Sequence, residues 1–317
     1  MQKNNELLRL EDCIKVSIDR LTIVADYREE SLDSDMREWL KLPFIEIVND
    51  GLQVVDDSRC YVDDFGHQHG YVAPEQVAYI NSPRFMKNII RIDFNPNHGM
   101  TSEGGRWLLD LIAKLRNKHF SRCDVAFDIF NQPVVEKYQV WRFGVSKKVI
   151  FGRDGSMETT YYGSPNSERQ IRQYNKKVEQ EARHGKLVNL ESWWRIELQL
   201  RGRKVKEYPS IVREMLEDFY LPNYKSLANP SQQAMMLSMM VDPTIYASAS
   251  SKTKQRWRAM MKDCRHTNDI SVAMANVFVE NFYRLENELQ TIMNKFQILA
   301  EEADDLRGET LKKSKSI

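Results

Sequence analysis

The chain has 317 residues, 42% of them hydrophobic and 29% charged, and a net charge of +1. That describes a globular chain with material for one large core or two modest ones. No apolar run approaches the ~20 residues of a membrane span, and the first residues lack a signal peptide's apolar stretch. The four cysteines are scattered with no Cys-x-x-Cys pair, so the composition predicts a reduced, cytoplasmic protein without a cysteine metal site or a membrane role. The charge is unevenly spread. Residues 1–80 hold 8 Lys/Arg against 17 Asp/Glu, whereas residues 168–206 hold 11 Lys/Arg against 5 Asp/Glu. A basic segment of that kind fits a polyanionic substrate.

In chain order, residues 14–25 predict a first strand with one buried face. An acidic helical segment is expected at 29–40, and short strands at 53–56, 59–63, 70–72 and 77–80, with 65–70 at a hairpin tip. His67-Gln68-His69 in that tip has a spacing some metal sites use, but its polar centre and flanking glycines read as an exposed turn. Residues 88–94 predict a strand that stops at Asn95-Pro96-Asn97, since proline cannot continue the ladder. Thr101-Ser102-Glu103 opens a helix whose apolar face is Trp107, Leu108, Leu111, Ile112 and Leu115.

Residues 122–129 place Asp124, Ala126 and Asp128 on one strand face. Aspartate is depleted in strand interiors, so the pair needs a metal, a cation partner or solvent. Thr159–Tyr162 predicts a strand, Gly163–Ser167 a turn, and 170–174 a second strand with Arg172, Tyr174 and Lys176 on one face. Two cations beside a tyrosine ease its deprotonation and can hold a phosphate next to it. Asn175 and Gly185 bound a short helix carrying Lys176, Lys177 and Arg183. In 192–201, Arg195, Glu197 and Gln199 alternate with Trp194, Ile196, Leu198 and Leu200, as on a central strand with one charged face.

Beyond 206 the pattern turns helical, at 208–219, 230–240 and 250–264. The last of these carries Lys252, Lys254, Arg256 and Arg258, and reads either as a duplex-DNA-reading helix or as a solvated helix face. A final helix shows an unbroken heptad seam: Ala275, Phe278, Phe282, Leu285, Leu289, Ile292, Phe296, Leu299, Ala303 and Leu306. It either dimerises or packs against the chain's own helices. The tail from 311 is short, basic and expected to be disordered.

The run Tyr162-Gly163-Ser164…Ser167…Ile171-Arg172-Gln173-Tyr174-Asn175-Lys176-Lys177…Glu179 resembles the signature of the Rep_trans family, the RepC/RepD-like initiators of rolling-circle replication on Gram-positive plasmids. The family pattern has an apolar residue where Gln173 stands. Arg122-x-Asp124-x-x-x-Asp128 and Arg195-x-Glu197-x-x-x-Arg201 resemble two further family strands, and Asn95-Pro96-Asn97 after its strand is similar too. The resemblance implies an α+β fold with a mixed or antiparallel central sheet and flanking helices. It implies a catalytic nicking and joining domain at 1–206 and a helical region at 207–317 for origin recognition or dimerisation.

What the resemblance implies for chemistry is tyrosine transesterification. Tyr174 would attack one DNA strand, leaving a 5′-phosphotyrosine and a free 3′-hydroxyl that primes synthesis, and the strand would be rejoined at termination. Arg172 and Lys176 would counter the phosphate charge. Asp124, Asp128 and Glu197 would hold Mg²⁺ or Mn²⁺, as hard cations suit carboxylate oxygens, unless Arg122 and Arg195 pair with them instead. Ser164, Ser167, Arg169 and Lys177 are the neighbouring DNA-binding candidates. Expected partners are origin DNA, a second copy of the chain and a PcrA-type helicase, since no Walker-type loop is present. The alternatives are a relaxase of an integrative conjugative element with the same chemistry, or a non-catalytic DNA-binding protein.

Overall fold

The computed structural model describes residues 9–41, 44–48, 51–54, 61–62, 68–69, 76–81, 88–142, 144–185, 187–242, 244–265 and 269–313. Its centre is one ten-stranded, wholly antiparallel sheet. The strands are β1 (Ile14–Asp26), β2 (Phe44–Val48), β3 (Gly51–Val54), β6 (Gln76–Asn81), β7 (Ile89–Phe94), β8 (Arg116–Phe130), β10 (Lys147–Phe151), β11 (Met157–Tyr162), β12 (Arg169–Asn175) and β13 (Trp193–Arg201). Their order is β10-β11-β12-β13-β8-β1-β7-β6-β2-β3. Two small ribbons, β4 (Tyr61–Val62) with β5 (Gln68–His69) and β9 (Gln139–Val140) with β14 (Phe219–Tyr220), lie outside it. The first ribbon pairs Gln68 and His69, expected in the hairpin's turn, as its second strand, and His67 lies outside the described residues.

The alternation of each strand sorts the sheet into two faces. Val125, Phe127 and Ile129 of β8 lie opposite Leu198, Ile196 and Trp194 of β13 on the apolar face. Helices cover that face: α2 (Glu103–Lys114), α4 (Tyr208–Asp218) and α8 (Ile270–Lys313). Ser102 caps α2 as its sequence predicts, accepting from the Gly105 amide at 3.1 Å. Leu108, Leu111, Ile112 and Leu115 are buried, and Trp107 packs at the margin. α1 (Ser34–Leu40) caps on Asp33 and buries Met36 and Leu40.

Helices from beyond residue 206 pack onto the sheet. Ile211, Val212, Phe278 and Leu285 belong to the same apolar core as β1, β8 and β13. The reason is area: a sheet this wide needs helices along its whole apolar face, and α4 and α8 supply two of them. Up to Ile292 the heptad seam is therefore packed within the chain, with Tyr208 edge-on to Phe278 and stacked on Phe282. The seam's continuation, Phe296, Leu299, Ala303 and Leu306, has side chains outside the described residues. What stands apart is a smaller cluster around α5 (Pro230–Val241), α6 (Thr244–Ser248) and α7 (Ser251–Asp263), where Met236, Met239, Trp257, Met260, Met261 and Cys264 are buried together. Among the described residues no helix is long and apolar enough to cross a membrane.

Candidate active site

The three strands that carry the predicted chemistry lie side by side as β12-β13-β8. Register places Arg172 opposite Glu197 and Tyr174 opposite Arg195. Across the next ladder Arg195 faces Asp128, Glu197 faces Ala126 and Gln199 faces Asp124. All of these side chains share the sheet face that α2, α4 and α8 leave uncovered. Gln173 points the other way, onto the apolar face. There it accepts the Tyr162 hydroxyl at 3.0 Å and donates to the Val135 carbonyl at 2.7 Å, so its polar amide is satisfied.

The Tyr174 hydroxyl donates to Glu197 Oε1 at 2.8 Å. Lys176 Nζ stands 3.4 Å from the same hydroxyl and also bonds Glu179. The Arg172 guanidinium lies over the Tyr174 ring, 4.1 Å from its centroid, and reaches Glu197 Oε2 at 3.4 Å. Lys176 is positioned by α3 (Lys176–His184), which begins where the Asn175 side chain accepts the Val178 amide at 3.2 Å. It ends at Gly185, whose φ of +60° is the left-handed conformation glycine adopts without strain.

The electrostatics correct one expectation. Burial, and then the Glu197 charge, push the Tyr174 phenol well above its usual pKa, and Arg172 and Arg195 only partly oppose them. Two neighbouring cations therefore do not free the proton. Burial would raise Glu197 too, but Arg172, the Tyr174 hydrogen bond, Arg195 and Lys176 outweigh it and hold the carboxylate below its usual value. The proton sits on the tyrosine and the ionised acceptor is 2.8 Å away.

Asp124 and Asp128 are engaged by arginine forks. Arg122 holds Asp124 through Nε at 2.8 Å and Nη2 at 2.5 Å. Arg195 holds Asp128 through Nε at 2.8 Å and Nη2 at 2.7 Å, and Trp193 Nε1 adds a third bond at 2.7 Å. Both oxygens of each carboxylate are thus occupied, and the three expected ligands do not gather into one set. Among the described residues no group of three or more His, Cys, Asp or Glu side chains is placed to hold a metal ion.

One acid escaped the sequence reading. Asp19 accepts Arg195 Nη1 at 2.8 Å, and burial together with the Glu197 charge pushes its carboxyl up to about 6. It is the residue skipped in the β1–β8 register, where pairing passes from Ile18 to Arg20. Such bulges re-aim side chains. The signal was present: apolar residues at 14, 16 and 18 give way to 21, 23 and 25, a change of phase that requires an extra residue.

The DNA-binding candidates are dispersed. Arg169 starts β12, about 17 Å from Tyr174 at ~3.3 Å per residue, and on the apolar face, where it pairs with Glu214 at 2.8 Å. Ser164 and Ser167 form the β11–β12 turn at that same end. Lys177 is tied to the Leu190 carbonyl at 2.7 Å. Lys252, Arg256 and Arg258 are exposed on α7, while Lys254 bonds the Ala247 carbonyl at 2.9 Å.

Comparison with known proteins covers much of this region. The family described as Replication initiation factor, Rep_trans, matches residues 118–307, so the likeness begins at β8 and runs into the helical third. Two replication initiation proteins of Staphylococcus aureus are 29% and 28% identical to the chain over 211 residues. Each alignment takes in 66% of this chain, and the chain spans 65% of the length of these curated relatives. The solved rolling circle replication initiator protein from Geobacillus stearothermophilus aligns with a TM-score of 0.38 at 16% identity, over 69% of this chain and 91% of that one. That likeness is too loose to bear on the site. With the family's profile matched over more than half its length, from the aspartate-bearing strand β8 through Tyr174 and Glu197 into α8, the chain belongs to the Rep_trans family of replication initiation factors.

Proposed function

We propose that the protein initiates rolling-circle replication of a plasmid by nicking one strand at the origin, with Tyr174 as nucleophile and Glu197 as its general base. The observation that carries this reading is the 2.8 Å hydrogen bond from a buried phenol to an ionised carboxylate, flanked by two cations. A tyrosine with a raised pKa needs a base to become a nucleophile, and Glu197 is in reach of its proton.

In the proposed step the Tyr174 oxygen attacks phosphorus in line. The new O–P bond forms as the P–O3′ bond breaks, the phenolic proton passes to Glu197, and the departing oxygen is protonated by solvent to a 3′-hydroxyl. One phosphodiester replaces another, so rejoining needs no ATP. Arg172 and Lys176 cover the phenol in the free protein, and a phosphate arriving there takes them over as counter-charges. The proposed cofactor is Mg²⁺ or Mn²⁺. Magnesium sites commonly use one or two carboxylates completed by water and substrate phosphate. Asp19 suits such a site, a hard oxygen donor whose hydrogen bonds among the described residues fall on Oδ1 alone. The ion would add Lewis-acid polarisation of the phosphate. Origin DNA, a second copy of the chain and a PcrA-type helicase are the partners the proposal implies.

The test is incubation with single-stranded and supercoiled origin DNA plus Mg²⁺ or Mn²⁺, scored for a covalent protein–DNA adduct. The wild type is expected to form it and Tyr174→Phe to lose it entirely. Adduct persisting in Tyr174→Phe would remove the assignment.

A further inference from the structure

Arg122 and Arg201 are motif residues to which nicking assigns no role. They lie directly opposite each other on β8 and β13. Like charges opposed across a sheet are destabilising. Two further arginines stand on the same face: Arg20, two residues from Thr22, which faces Arg122, and Arg91, two residues from Asp93, which faces Thr22.

Among the described residues two carboxylates pair with these four cations. Asp124 takes the Arg122 fork. Asp93 accepts Arg20 Nε at 2.6 Å and the Thr22 hydroxyl at 3.0 Å, with Arg91 Nη2 at 3.7 Å. The cluster keeps two positive charges in excess. Arg201 makes no ion pair among the described residues. It donates only to neutral oxygens, the Pro165 and Ser167 carbonyls at 2.6 and 3.2 Å and Gln199 Oε1 at 3.0 Å. Burial, then the charge of Arg122, lowers its pKa to about 10, with Arg20 and Arg91 contributing and Asp124 opposing. The group remains cationic at neutral pH and has no anionic partner among the described residues. Solvent reaches the cluster, since the Arg91 and Arg20 side chains are 55% and 26% exposed.

We propose that this cluster is a phosphate-binding subsite for the backbone of single-stranded DNA, with Arg201 and Arg91 as the contacts and Arg122 and Arg20 as the charges behind them. Guanidinium forks match phosphate oxygens, and a phosphodiester would supply the missing anion. Arg201 lies six residues along β13 from Arg195, the residue opposite Tyr174. At ~3.3 Å per residue that is about 20 Å, on the order of six nucleotides of a stacked strand at ~3.4 Å each and fewer of an extended one. Arg201 also holds the turn that carries Ser164 and Ser167, so those two residues border the subsite and not the tyrosine. The subsite rests on the nicking function proposed above and gives the cut strand a path across the sheet.

The test is a fluorescence-anisotropy titration of a labelled single-stranded origin oligonucleotide against the full chain at several salt concentrations. Arg91→Gln and Arg201→Gln are each expected to weaken binding roughly three- to tenfold and to reduce the salt slope by about 0.7, the loss of one phosphate contact. Both should still form the Tyr174 adduct at saturating DNA. Trimming the oligonucleotide to two nucleotides either side of the nick should abolish the difference from wild type. Arg91 is exposed and weakly paired, so Arg91→Gln decides the matter even where Arg201→Gln loosens the turn and misfolds. Wild-type affinity and salt slope in Arg91→Gln, with adduct retained, would overturn the subsite and leave the nicking reading standing. A wild-type chain that binds DNA but forms no adduct would overturn the nicking reading, and the subsite with it.

Discussion

At the scale of single residues, the proposed step divides between Tyr174 as nucleophile and Glu197 as base. The phenol is buried and protonated, the carboxylate ionised, and the hydrogen bond joins them across neighbouring strands. Glu197→Gln keeps the shape and removes the base. It is expected to slow adduct formation by about 10²- to 10⁴-fold, the usual contribution of a general base, while oligonucleotide affinity changes little. Rate measurements with Mg²⁺ saturating would check this, and an unchanged rate would take Glu197 out of the role. Tyr174 was singled out by the motif that resembles the family signature. Glu197 was legible as an acid alternating with apolar residues, but its partner was not, since the hydrogen bond joins diagonal neighbours on paired strands, 23 positions apart in the chain. Asp19 was hidden in a phase slip that becomes meaningful only once β1 is known to lie against β8.

Among the elements, α8 takes one of the two places its sequence reading left open. A heptad seam suits a coiled coil or an intramolecular face equally, because periodicity describes a stripe and not its occupant. Here Phe278 is buried against Tyr208, and Arg284 Nη2 bonds the Val16 carbonyl of β1 at 2.7 Å, so the helix completes the core. Phe278→Ala should therefore destabilise the fold by about 3–5 kcal/mol, as for other buried phenylalanines. Chemical denaturation would measure it, and a cost near zero would return the seam to an external partner. By the same packing, removal of residues 275–317 is expected to abolish cooperative melting along with nicking activity. α3 behaved as its caps foretold, since Asn175 and Gly185 act through local backbone chemistry that needs no tertiary context.

For the whole molecule, the polar sheet face acts as one alternating lattice of charges, and its stability depends on pH. Burial alone would raise Asp93, but the Arg20 charge and hydrogen bond, helped by Arg122 and Arg91, hold it below its usual value. A carboxylate whose folded pKa is depressed stabilises the fold above its unfolded pKa, ~3.9. That contribution is lost as pH falls through the lower, folded value. Arg20→Gln should thus lower the melting temperature clearly at pH 7 and much less at pH 3, where Asp93 is more protonated in the unfolded chain. Melting curves at the two pH values would show it, and an equal drop at both would mean that Arg20 contributes packing and not charge.

The family resemblance of its motifs implied the α+β class, and the sequence by itself determined the first strand and the capped helices. These follow from alternation, capping and turn chemistry, which act within a few residues. It also determined that acids and arginines would share one face of β8 and β13, because a strand's side chains alternate regardless of its neighbours. Only the tertiary structure decided which acid meets which arginine. Strand order brings Glu197 to Tyr174, closes Asp128 with the Arg195 fork, and leaves Arg201 without a carboxylate among the described residues. Ion pairing across a sheet depends on register between distant segments, and no periodicity within one segment carries that information.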